Sequence, residues 1–68
     1  MPYTITNIQA DRGVTGESLV RAIRDCGETI LDNMSDDCIG AEFGYAEDGS
    51  TCDEHDEPSI IITVERAK

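Results

Sequence analysis

Residues 59–66 read SIIITVER. Ile60, Ile62 and Val64 point one way along an extended chain, while Ile61, Thr63 and Glu65 point the other. No other strand candidate among the 68 residues is as apolar, which places this one at the centre of a sheet. Two further candidates flank it. Pro2 to Gln9 (PYTITNIQ) alternates Tyr3 and Ile5 with Thr4 and Thr6, residue types that suit a pleated surface. Ile8 breaks the alternation, so this strand ends or bulges near Asn7. In Cys38 to Glu47 (CIGAEFGYAE), Ile39, Ala41, Phe43 and Tyr45 share one face. Gly40 and Gly44 leave the other face bare, which weakens the strand but lets another backbone or a ligand approach.

Between the first two strands the period changes to that of a helix. Leu19, Val20, Ile23, Cys26, Ile30, Leu31 and Met34 recur at three- and four-residue steps and draw one apolar stripe. Thr15 suits the N-cap, and Glu17 complements the positive end of the helix dipole. The other face carries Glu17–Arg21, Arg21–Asp25 and Arg24–Glu28 at i,i+4, and Asn33 to Asp36 should end the helix. The order strand, helix, strand, strand gives an α+β domain spanning residues 1–68, with one helix laid on one face of a three-stranded, mainly antiparallel sheet. The helix stripe is expected against Tyr3, Ile5, Ile39, Phe43, Ile60, Ile62 and Val64, with the last strand between the other two.

Charge is confined as sharply as hydrophobicity. Residues 36–57 (DDCIGAEFGYAEDGSTCDEHDE) hold nine carboxylates and no Lys or Arg, and the formal net charge of the whole chain is −10. A balance this acidic opposes direct contact with nucleic acid or an anionic membrane, because phosphates would repel it. It fits a basic partner, a cation or a salty medium. The run from Glu47 to Glu57 is expected to be a solvated, mobile hairpin tip unless something positive orders it. The longest apolar run, Ile60–Ile62, is far below the roughly 20 residues that span a bilayer. The start MPYTITNIQADRG lacks the pattern of a secretory signal, so the cytoplasm is the expected compartment. Three cysteines cannot close a disulfide framework within one chain, although Cys38 and Cys52 remain able to pair in an oxidising medium.

Motifs for chemistry are sparse. Cys52 and His55 stand three apart, as metal ligands often do, but a closed zinc site needs four ligands and usually two close pairs. Asp48-Gly49-Ser50 lacks the alternating oxygen ligands of a calcium loop. As a nucleophile and base, Cys52 and His55 would need an orienting third group and a dry pocket, neither of which a charged hairpin tip offers. The residues therefore imply no catalytic site and no cofactor. Three functions stay open: a non-enzymatic binding module, a small metal-binding domain using Cys52 and His55, or a halophile-type protein whose charge serves solubility.

The carboxylates Asp36, Asp37, Glu42, Glu47, Asp48, Asp53, Glu54, Asp56 and Glu57, set on so small a strand–helix–strand–strand frame, give the chain a family likeness. It resembles the small phage-encoded anti-CRISPR inhibitors that mimic DNA. The resemblance rests on size, charge and layout over the whole chain, since those inhibitors share no diagnostic motif. It implies a partner that normally binds nucleic acid, such as a CRISPR effector complex, whose basic surface these nine residues would occupy. Arg21, Arg24 and Arg66 imply that the mimicking face excludes the helix.

Overall fold

In the computed structural model, which describes residues 3–33, 37–53 and 55–67, the last strand lies in the middle of the sheet. The elements run β1 (Tyr3–Ala10), α1 (Gly16–Asn33), β2 (Gly40–Tyr45) and β3 (Ile60–Arg66). The sheet order is β1-β3-β2, and β3 pairs antiparallel with both neighbours. The chain is an α+β domain with its helix packed on one face of that sheet. No helix among the described residues is long and apolar enough to cross a membrane.

The registers explain which side chains meet. Ile62 stands opposite Phe43 on one side and Ile8 on the other, while Val64 stands opposite Ala41 and Ile5. Directly paired residues share a face, so these six form the floor under α1. Ile60, Ile62 and Val64 are fully buried there, together with Ala22 and Cys26 from the helix. Tyr3 and Tyr45 close the two ends of the core, and the Tyr3 hydroxyl donates to the Cys38 carbonyl oxygen (2.9 Å).

The break in alternation at Ile8 has a local cause. The pairing of β1 with β3 slips by one residue between Ile5 and Asn7, a bulge centred on Thr6. The Thr6 hydroxyl donates to the Thr63 carbonyl oxygen (3.4 Å) across the irregularity. One extra residue restores Ile8 to the same face as Ile5; without it Ile8 would project to the outer side.

The helix begins where its cap predicts. The Ser18 N–H donates to Thr15 Oγ1 (3.2 Å), filling one of the orphan donors of the first turn. Its buried row differs from the expected stripe, however. Leu19, Ile23, Cys26 and Ile30 face the sheet with Ala22, whereas Val20 and Leu31 are 58% and 66% exposed. A periodic stripe drawn wide enough to include them overlaps the flank of the helix, and here the sheet is too narrow to cover it. Met34 lies outside the described residues. Ile39 is also a correction: it precedes β2 and is 82% exposed, contributing its carbonyl oxygen, which accepts from the Arg66 N–H (2.8 Å), rather than its side chain.

Candidate functional site

The acidic segment is shaped by ordinary turn chemistry. After Tyr45 the chain reverses through Glu47-Asp48-Gly49, with the Gly49 N–H donating to the Ala46 carbonyl (2.9 Å) and the Ala46 N–H to the Ser50 carbonyl (2.7 Å). Gly49 takes a left-handed φ of 89°, which closes such a turn at little steric expense for glycine alone. Asp48 then locks it. Its Oδ1 accepts from both the Ser50 hydroxyl (2.6 Å) and the Ser50 N–H (2.9 Å). These two bonds, the hydroxyl's first, hold the Asp48 carboxyl below the usual aspartate range, with a smaller contribution from Arg21.

This turn is docked. Gly49 is buried, and a Cβ built on it would collide with the Ser18 carbonyl oxygen and come within 3.0 Å of Arg21 Cβ. The tip therefore folds against the first turns of α1 instead of projecting as a free acidic loop, which corrects the expectation for Glu47 to Glu57 in its first part, around Gly49. What holds it there is the Ser18 carbonyl and the Arg21 Cβ, with the Arg21 charge a minor contribution at Asp48.

The rest of the connection, Cys52 to Pro58, turns the other way. A Cβ on Gly44 would lie 2.9 Å from Pro58 Cβ and 3.7 Å from Cys52 Sγ. The bare side of β2 at Gly44 is thus occupied by the protein's own loop, not left open for a ligand. The Asp56 N–H donates to the Asp53 carbonyl (3.0 Å) within that loop. Glu42, paired with Thr63, projects from the same outer face two residues before Gly44. Asp53, Asp56 and Glu57 are exposed in that loop, and Glu42 is exposed on the strand. Asp37 is exposed near the start of β2, while Glu47 and Asp48 are exposed at the docked tip. Asp36 and Glu54 fall outside the described residues.

The arrangement separates charge by edge. Of the described carboxylates of the segment, Asp37 precedes β2, Glu42 lies on β2, and Glu47, Asp48, Asp53, Asp56 and Glu57 lie in its connection to β3; β2 is the edge strand opposite β1. Arg24 is exposed on the helix and Arg66 at the end of β3, away from the outer loop, whereas Arg21 borders the tip at Gly49.

The other reactive side chains are dispersed. Cys38 precedes β2 and Cys52 lies against Gly44; at about 3.3 Å per strand residue, Gly40 and Gly44 alone are about 13 Å apart. A disulfide needs Cα atoms within about 7 Å, so Cys38 and Cys52 do not pair in this fold. Among the described residues, no three His, Cys, Asp or Glu side chains are placed to hold a metal ion, and no concave pocket is present.

Sequence reasoning missed one polar cluster. The Tyr45 hydroxyl lies beside Cys26 and Asp25. Burial pushes both the thiol and the phenol up, the Asp25 charge adds to each, and both stay neutral. No period-based rule brings Tyr45 beside these groups; only its place opposite Ile60 and under the helix does. No protein-family model, curated protein or solved structure matches this chain.

Proposed function

We propose that this domain is a non-enzymatic inhibitor that occupies the basic nucleic-acid-recognition surface of a partner protein by mimicking DNA. A CRISPR effector complex or a comparable phage-defence protein is the partner class in view. One observation carries the reading: Glu42 is exposed on the outer face of β2, and Asp53, Asp56 and Glu57 are exposed in the loop whose Cys52 and Pro58 cover that face at Gly44. Proteins that bind duplex DNA present rows of Lys and Arg to a charge every 1.7 Å or so of axis. A negative surface on a small frame complements such a row, speeds encounter and releases counterions from it.

The experiment captures host and phage-defence proteins on the immobilised domain at low salt and elutes them with a salt gradient. Captured proteins are then tested for loss of DNA binding when the free domain is added. The control is the variant Glu42→Gln, Asp53→Asn, Asp56→Asn, Glu57→Gln. The reading expects a specific nucleic-acid-binding protein, released by salt, displaced from DNA by the domain and absent from the control. Equal capture by the neutralised variant, or capture indifferent to salt, overturns it.

A further inference from the structure

The helix does not lie squarely over the sheet. On a helical wheel Ser18, Arg21 and Asp25 lie on one flank of α1. That flank faces β2, since Gly49 abuts Ser18 and Arg21 and Tyr45 lies beside Asp25. Val20, Gly27 and Leu31 fall within about 40° of one another on the opposite flank, which therefore overhangs β1. Val20 and Leu31 are largely exposed there, and the β1 residues on the helix side, Ile5 and Ile8, remain 37% and 40% exposed. An apolar strip thus runs the length of the domain, floored by β1 and walled by one flank of α1.

Two features show that the strip is built rather than left over. The bulge at Thr6 returns Ile8 to this face, yet the domain alone covers Ile8 incompletely. In addition, β1 is an eight-residue edge strand without a single charged side chain, in a chain of net charge −10. Edge strands are normally blunted by charge or covered, because their free N–H and C=O groups template further pairing.

We infer that a second copy of this chain covers the strip, with β1 meeting β1 across a two-fold axis to form one six-stranded sheet. Electrostatics select this occupant. Two chains of charge −10 repel wherever carboxylates oppose each other, and none of the eight residues of β1 carries one. Pairing there sets the two acidic β2 edges five strand spacings apart, about 24 Å. A two-fold runs the two helices in opposite directions, and the outer rim of the exposed flank carries Arg24 and Glu28. Each Arg24 then faces the other copy's Glu28, a self-complementary rim. A stable interface needs about 800 Å² per partner, about one-sixth of the domain's 4946 Å² surface.

The test is sedimentation equilibrium of the full chain over a concentration series in about 0.5 M NaCl, where charge repulsion is screened. The expected result is a monomer–dimer equilibrium reaching twice the monomer mass by about 100 μM. Val20→Lys and Leu31→Lys alter exposed positions and should each weaken dimerisation at least about tenfold with an unchanged circular dichroism spectrum. Glu42→Lys, on the far edge, should not. A wild-type monomer throughout the series overturns the proposal, as does a dimer that ignores Val20→Lys and Leu31→Lys. The measurement contains no nucleic-acid-binding partner and changes no carboxylate of the mimicry reading except in its Glu42 control, so the two proposals fail separately.

Discussion

Gly49, in the middle of the acidic segment, is packed against the carbonyl oxygen of Ser18 in the first turn of α1. The most charged part of the chain is thereby fastened to the apolar frame by a residue with no side chain. A left-handed φ and the absence of space both exclude a Cβ at this point.

Gly49→Ala is accordingly expected to destabilise the fold by about 1–3 kcal/mol, measured as a lower urea midpoint. Gly27 gives the contrast. A Cβ there meets nothing within 4 Å, in the interior of a helix. Gly27→Ala should stabilise by about 0.5–1 kcal/mol and raise the melting temperature.

Asp48 makes the tip sensitive to acid. Its carboxyl is held below the ordinary aspartate value of about 3.9, so its bonds to Ser50 contribute fully above that pH and are lost as pH falls through the lower folded value. Urea melts of wild type and Asp48→Ala should therefore differ at pH 7 and converge in strong acid. A constant difference down to pH 2 would show that the Asp48 charge plays no part.

At the alkaline end the sign reverses. Cys26 and Tyr45 are held neutral in the fold, with their titration moved upward, while in the unfolded chain they ionise near about 8.5 and 10. The unfolded state thus loses protons first, and stability should fall as pH rises above about 8.5. Cys26→Ala should flatten the first part of this decline, and Tyr45→Phe the part above about pH 10. Thermal melts between pH 7 and 11 measure both.

Thr15→Ala removes the acceptor for the Ser18 N–H and should cost about 1 kcal/mol. Because Ser18 also receives Gly49, the variant should loosen the hairpin tip together with the helix end. Amide exchange at Gly49, faster in Thr15→Ala than in wild type, is the expected signature.

The strands, the helix and its cap were legible because each rests on a local rule: alternation at Ile60–Val64, three- and four-residue steps at Leu19–Ile30, a threonine before the first turn. The sheet order followed from the apolar character of residues 60–64. Ile8 was readable as a disturbance near Asn7, though its purpose, returning an isoleucine to the helix face, needs the partner register. The limits of the apolar stripe were not legible. Val20 and Leu31 satisfy the same spacing as buried residues, and only the lateral position of α1 over the sheet distinguishes them.

The acidic segment was legible in charge and opaque in shape. Six acids among residues 47–57 suggest a repelling, solvated loop, yet Asp48-Gly49-Ser50 is also a compact turn whose side-chain bonds are local. What no local rule reveals is where that turn rests, because Ser18 and Arg21 lie some thirty residues earlier. The same holds for Pro58 over Gly44, which fills a gap that the strand pattern alone presents as vacant.

The central position of β3 also governs how the protein is made. β1 and β2 touch only through β3, so neither has a sheet partner until residues 60–66 have left the ribosome. Until then the nascent chain holds a capped helix, a local turn and two unpaired strands. Its core forms only in a late, long-range step, a topology that slows folding. A chain broken off before Ile60 would have no sheet at all, and cellular proteases should clear it quickly.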